Sequence, residues 1–279
     1  MTFPEVAGTL SAVRLRDFVD YWRLRKYLAA PWSFLRIRKK GFPEPFRDFA
    51  LRDGGTLRIR SAPMDMHILH RVLGRDEYGL DAFAPGSLDV IVDVGAHLGF
   101  FALRAAALAR RVLSFEPSEE NFEILQRNVA HLPNVTAVRA AVAPRPGELT
   151  FHVSAIPSAS SLYPVARHPV KEVRTVRGLT LEDVFREHGV ERCDLLKIDV
   201  EGAEYPILFG VPDRLWPSVR RICLEYDPVP DGPPDWTGEK LEERLRAAGY
   251  RVRRVPSKHP PGKGRLWAVR ADEPPSPWC

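Results

Sequence analysis

The run Val90-Ile91-Val92-Asp93-Val94-Gly95-Ala96-His97-Leu98-Gly99-Phe100 constrains this 279-residue chain more than any other stretch. Apolar β-formers lead into an acid, two glycines follow four apart, and an apolar helical pattern continues through Phe101, Leu103 and Ala107. That order predicts a buried parallel strand, a tight turn and then a helix. A glycine turn lets a ligand come close to the backbone, because glycine has no Cβ in the way. Residues 111–115 predict a second strand, which ends in Glu116-Pro117. An acid at the tip of the neighbouring strand is where a nucleotide-binding doubly wound sheet holds a ribose diol. Together these features predict an adenosine-containing cofactor.

The glycine spacing narrows the choice. A dinucleotide site uses G-x-G-x-x-G, so that a pyrophosphate rests on the helix N-terminus. Here the pattern is D-x-G-x-x-x-G with His97 inside the turn. S-adenosylmethionine has no phosphate, and the ammonium of its amino-acid tail needs an acceptor. Asp93 and the Gly95 backbone suit that demand. The plainer alternative is a turn whose glycines serve packing alone, and Glu116 at the expected strand tip argues against it.

The chain has 44% hydrophobic residues, which is ordinary for a globular protein. No apolar run approaches the roughly 18 residues that span a bilayer. The N-terminus lacks the pattern of a secretory signal. Cys193, Cys223 and Cys279 form neither a disulfide framework nor a zinc pattern, so a reducing cytoplasm is the expected compartment. The formal charge of +5 favours anionic partners without naming one. Much of it sits at Arg14, Arg16, Arg23, Arg25, Lys26, Arg36, Arg38, Lys39 and Lys40, while Leu15, Phe18, Val19 and Trp22 recur at helical spacing. This basic helix is expected to pack its apolar stripe on the protein and leave its charges solvated. Peripheral contact with a membrane surface is the alternative.

Residues 1–86 are expected to form an extension that caps the main domain. It contains the basic helix, a hairpin turning at Asp53-Gly54-Gly55 and a short helix from Met64 to Leu73. From residue 87 to 271 strand and helix signals alternate, the mark of an α/β, doubly wound, Rossmann-like sheet. Strands are expected at 88–94, 111–116, 134–140, 193–199 and 219–226, with an inserted pair at 147–153 and 173–177. A C-terminal antiparallel hairpin is expected from 251–255 and 266–270. Thr180 with Asp183 predicts a helix N-terminal capping arrangement. Residues 272–279 are expected to be an irregular tail.

The second dense motif is Asp194-Leu195-Leu196-Lys197-Ile198-Asp199-Val200-Glu201-Gly202-Ala203-Glu204. Its strand should lie beside that of Asp93, opposite Glu116, so Asp199 should face the same crevice. With Asp93-Val94-Gly95-Ala96-His97, Phe115-Glu116-Pro117 and Ser160-Ser161-Leu162, this motif resembles the FkbM family. The resemblance covers about residues 55 to 227, and K-I-D-V-E-G-A-E is its most specific element. It implies a class I S-adenosylmethionine-dependent methyltransferase acting largely on oxygen. The family commonly has asparagine at the position of His97.

Methylating an alcohol requires alignment of the acceptor oxygen and removal of its proton. Asp199 is the first candidate base, with Glu201 and His97 behind it. The expected cofactor-binding residues are Asp93, Gly95, Ala96, His97, Gly99, Glu116, Pro117, Ala141 and Asp199. Acceptor-binding candidates are Ser160, Ser161, Tyr163 and Glu225. Lys197 is read as an ion-pair partner, and Glu204 as a charge complementing a helix N-terminus. Glu225 and Asp227 could join Asp199 around a hard cation, but their spacing is not diagnostic and no metal is assigned. The expected acceptor is a hydroxyl on a sugar, glycan or natural product. No proline-aromatic clamp for a flipped base follows the 193–199 strand, which argues against nucleic acid. A non-catalytic cofactor-binding module is the remaining alternative. The oligomeric state is not legible in the sequence.

Overall fold

The computed structural model describes residues 15–38, 41–163, 169–229, 231–274 and 278. Arg14, Lys39 and Lys40 of the basic stretch lie outside them, as do Pro275, Ser276, Pro277 and Cys279 of the tail. The chain divides into two compact units, Met1–Arg75 and Asp76–Cys279. The division falls before residue 86, where the sequence placed it, because Tyr78 and Leu80 are buried in the second unit. The Tyr78 hydroxyl bonds Asp199, and the Trp267 indole donates to the Tyr78 carbonyl.

The first unit contains helices α1 (Leu15–Leu24) and α2 (Pro31–Ile37), strands β1 (Phe46–Ala50) and β2 (Thr56–Arg60), and helix α3 (Pro63–Leu69). β1 and β2 form the expected hairpin, with Gly54 at φ +89° in its turn. Leu24, Leu28, Phe34, Leu57, Ile59 and Leu69 are its fully buried core. α1 corrects the expectation for the basic helix. Asp20 and Leu24 face inward, while Phe18, Val19 and Trp22 are exposed. The cause is an ionic anchor: Asp20 lies 2.8 Å from Arg38 and 2.7 Å from His70.

The second unit is built on a seven-stranded sheet. Its strands are β3 (Leu88–Val94), β4 (Ala109–Phe115), β5 (Val135–Val138), β9 (Leu195–Ile198), β10 (Arg221–Tyr226), β11 (Tyr250–Pro256) and β12 (Gly264–Arg270). Their order is β11-β12-β10-β9-β3-β4-β5, parallel except that β12 runs antiparallel to both neighbours. The apolar runs of β3, β4 and β9 lack alternation because their inner residues are buried on both faces of the sheet. A separate three-stranded sheet holds β6 (Ala141–Val142), β7 (Gly147–Ser154) and β8 (Val170–Leu179).

Helices α4 (Phe100–Ala105), α5 (Glu119–Val129), α6 (Leu181–Glu187), α7 (Glu204–Gly210) and α8 (Gly238–Ala247) connect these strands. Ser118 caps α5, and Thr180 with Asp183 forms the expected capping box on α6. The described C-terminal residues, 271–274 and 278, form no helix or strand but are anchored. Glu273 pairs with Arg220 and Arg221, and buried Trp278 donates to the Gly79 carbonyl at 2.9 Å. Most important for the site, β3 pairs with β4 on one side and β9 on the other, in parallel. Val94 is opposite Phe115 and Ile198, which brings Gly95, Glu116 and Asp199 to one edge of the sheet.

Candidate active site

The turn after β3 is held by three strands' worth of contacts. Gly95 sits at φ +79°, and a Cβ there would lie 1.9 Å from the Asp199 carbonyl oxygen. The N–H groups of Gly95 and Ala96 both donate to the Phe115 carbonyl, at 3.0 and 2.9 Å. His97 has φ +52°, a conformation uncommon for residues with a side chain. Gly99, at φ +87°, closes against Leu125 of α5.

Glu116 fastens this turn. Its Oε2 accepts from the His97 N–H at 2.8 Å, and its Oε1 accepts from the Ser118 N–H at 3.0 Å and the Asn121 amide at 3.1 Å. Burial raises its pKa, against the pull of these partners. A carboxylate has roughly four acceptor positions, so one remains for a ligand. Pro117 beside it is half-buried.

The sequence assigned Asp93 to the cofactor's ammonium. In the structure its carboxylate is wholly buried, 3.1 Å from the Lys197 ammonium and 3.3 Å from the Ser114 hydroxyl. The register places Asp93 directly opposite Lys197 on β9. Lys197 also donates to the carbonyls of Val94 and Gly95, at 3.3 and 2.5 Å. Asp93 therefore supports the turn through Lys197, the ion-pair role expected for that lysine.

Asp199, just past β9, is half-buried, and its Oδ2 accepts from the Tyr78 hydroxyl at 2.7 Å. Burial and the adjacent Asp199 push the Tyr78 phenol well above its ordinary range, so it remains a donor. Phe101 packs edge-on against the Tyr78 ring at 5.3 Å, and the Lys197 ammonium lies 5.7 Å from that ring's centre. Tyr78 was not anticipated from sequence. It lies far from the dense motifs, and an isolated tyrosine carries no spacing signal.

The segment after Asp199 is a second tight turn. Glu201 has φ +55° and Gly202 φ +106°. Glu204 spans it, accepting from the N–H groups of Val200 at 2.9 Å and Gly202 at 2.8 Å. Burial pushes the Glu204 carboxyl up to about 8. Ser161 holds the same turn from outside, donating to the Glu201 carbonyl at 2.7 Å. The Ser160 hydroxyl accepts from the Ser154 N–H at 3.0 Å. Both serines, expected at the acceptor, are thus engaged in shaping the loop. Tyr163 is half-buried and packs edge-on against Trp236 at 5.0 Å. Ala141 lies in β6 and packs with Ala143 and Leu149.

The hairpin β11–β12 brings two cations to the acids near Asp199. Lys263 lies 2.5 Å from Glu225 and 2.9 Å from Asp227, and Arg265 lies 3.1 Å from Glu225 and 2.9 Å from Glu77. Burial works against the Lys263 ammonium, but Glu225 and Asp227 outweigh it and raise its pKa. Glu225, expected to bind the acceptor, is instead taken up by Lys263 and Arg265. The same two cations stand where a hard metal ion would need free carboxylates, and no metal-ligating group of three His, Cys, Asp or Glu occurs among the described residues. Burial and Asp227 push Glu201 well above the usual carboxylate range, with Lys263 opposing.

These residues fit an adenosine-bearing sulfonium better than a pyrophosphate. The Gly95 backbone is bare of Cβ, and the acceptors Glu116 and Asp199 flank it on adjacent strands. The Asp199 and Glu201 carboxyl groups, with His97, could serve proton transfer. Residues 93–252 match the family described as Methyltransferase FkbM domain. The chain is 28% identical over 217 residues to methyltransferase sdnD of Sordaria araneosa, covering 66% of this chain and 82% of that relative. It is 31% identical over 196 residues to the 31-O-demethyl-FK506 methyltransferase FkbM of Streptomyces tacrolimicus, covering 59% and 73%. It is 28% identical over 158 residues to the hexuronic acid methyltransferase AglP of Haloferax volcanii, covering 56% and 63%.

Proposed function

The chain belongs to the FkbM family of S-adenosylmethionine-dependent methyltransferases, and from that premise we propose that it methylates a hydroxyl oxygen on a sugar, glycan or natural-product acceptor, with Asp199 as general base. The cofactor supplies an electrophilic methyl group on a positively charged sulfur. The observation that carries the reading is the Tyr78–Asp199 hydrogen bond at 2.7 Å. It holds one carboxylate oxygen of a half-buried acid and leaves the other without a partner among the described residues.

The neighbouring candidates are less suited to the role. Burial and the nearby Asp227 raise the Glu201 carboxyl, which disfavours the charged form that accepts a proton. Glu204 uses both oxygens on backbone N–H groups. The His97 ring is packed in the turn, edge-on to Phe100 at 6.0 Å with its Nδ1 buried, while its backbone N–H goes to Glu116. In this reading Gly95, Ala96, His97 and Gly99 provide the backbone cradle for the cofactor. Glu116, with Pro117, takes a ribose hydroxyl through its remaining acceptor position, and Asp93 keeps the cradle in place through Lys197.

Oxygen as the methylated atom draws support from two relatives, one named for an O-demethyl substrate and the other for a hexuronic acid. A screen of hydroxyl-bearing acceptors with isotopically labelled S-adenosylmethionine tests the assignment. Turnover on an alcohol that falls by about 10²–10⁴ in Asp199→Asn, with S-adenosylhomocysteine affinity nearly retained, is the expected result. Parallel loss of affinity and turnover would move the base role to Glu201 or His97, and methyl transfer confined to nitrogen or carbon acceptors would overturn the oxygen reading.

A further inference from the structure

We propose that the outer face of α1, together with Trp32 of α2, is a docking surface for an anionic lipid bilayer. The helix is inverted relative to an ordinary surface helix, which buries its apolar stripe. Phe18, Val19 and Trp22 are 51%, 47% and 51% exposed, whereas Asp20 on the inner side is 3% exposed. Three contacts lock that orientation. Arg38 binds Asp17 at 2.7 Å and Asp20 at 2.8 Å, and His70 lies 2.7 Å from Asp20. Turning the helix to bury its aromatic side would pull Asp20 from both partners.

The outward side is an organised aromatic patch. Tyr21 stacks on Trp32 at 4.9 Å, and Phe18 meets Trp22 edge-on at 6.4 Å. Trp32 is 37% exposed, so the patch continues onto α2. Clustered large apolar side chains on a surface rimmed by charge mark an interaction site, unlike single exposed ones.

The charge around the patch selects the partner. Residues 15–38 carry six Lys or Arg against two Asp, and Arg38 takes both of those acids. Arg23, Lys26 and Arg36 are exposed, and the Arg25 guanidinium lies 4.4 Å over the Trp22 ring. Aromatic and aliphatic side chains beside cations on long aliphatic stems match a bilayer interface. The rings enter the headgroup–acyl boundary while the stems carry their charges to anionic headgroups. A second copy of the chain would bring two such cationic surfaces together. A nucleic acid would answer the cations but leave Phe18 and Val19 in water.

Co-sedimentation of the full chain with vesicles tests this. Binding is expected to vesicles of mixed phosphatidylglycerol and phosphatidylcholine and not to phosphatidylcholine alone, and it should weaken at high salt. Phe18→Ser/Trp22→Ser should reduce partitioning at least about tenfold, since each substitution removes an apolar side chain from the boundary. Arg23→Gln/Arg36→Gln should reduce it by about fivefold per charge. All four side chains are exposed, so circular dichroism should match the parent, with melting lowered only slightly where Arg23 loses its 3.4 Å bond to the Gly74 carbonyl. Absence of binding to the mixed vesicles would overturn the proposal, as would binding indifferent to both double variants. Self-association or nucleic-acid binding abolished by the aromatic variant, without vesicle binding, would assign the face to that partner instead.

Discussion

Gly95 and Asp199 meet so closely that no side chain fits between them, since a Cβ on residue 95 would lie 1.9 Å from the Asp199 carbonyl oxygen. The glycine after β3 therefore serves the adjacent strand's turn as well as any ligand. Gly95→Ala should destabilise the protein by at least about 3 kcal/mol, because overpacking and an unfavourable positive φ act together. Calorimetric melting would show it. A loss below about 1 kcal/mol would mean that the two turns separate easily.

Glu116 accepts three hydrogen bonds within the turn. Glu116→Ala should lower S-adenosylhomocysteine affinity about tenfold to a hundredfold, the worth of a charge-assisted hydrogen bond. It should also lower stability, because the His97 and Ser118 N–H groups lose their acceptor. Titration calorimetry beside thermal melting separates the two effects. Unchanged affinity in a folded variant would remove Glu116 from the cofactor site.

Tyr78 fixes one oxygen of Asp199. Tyr78→Phe should reduce turnover about tenfold or more through loss of a hydrogen bond to a charged group, with a smaller change in cofactor affinity. In an Asp199→Asn background the same substitution should add little, because the two residues act as one unit. Full additivity of the two losses would show that Tyr78 acts elsewhere.

Glu204 predicts a pH dependence of stability. With its pKa raised from 4.5 to about 8, the native protein keeps a proton that the unfolded chain releases between those values. Folding stability should therefore fall as pH rises through that window, with a contribution approaching about 1.4 kcal/mol per pH unit. Glu204→Gln does not titrate, so its deficit relative to the parent should be largest near the low end and narrow toward pH 8. Urea unfolding at several pH values measures this, and a constant deficit would contradict the assignment.

Much of the second unit was legible because its signals are local. The apolar runs 90–94 and 195–198 read as buried strands, and the glycine turn and the Thr180–Asp183 cap depend on residues a few positions apart. The roles within the site were less legible. Ser160, Ser161 and Glu225 are the polar residue types that could bind an acceptor, yet each is used by a neighbour that the sequence does not place beside it. The outward turn of Phe18 and Trp22 was hidden for the same reason, since periodicity marks an apolar stripe but not the Arg38–Asp20 contact that decides which side faces in.

The sequence by itself determined the α/β order of the second unit, the cofactor class and the three strand tips carrying Gly95, Glu116 and Asp199. Those follow from hydrophobic periodicity and from the backbone freedom of glycine, which operate over a few residues. Only the tertiary structure decided that Asp93 is consumed by Lys197, that Tyr78 reaches Asp199 across 121 positions of chain and that Lys263 occupies Glu225 and Asp227. Such pairings depend on strand register and on where distant loops return. A buried charge takes whichever opposite charge the fold brings near, because leaving it unpaired costs several kcal/mol on the order of 3–5.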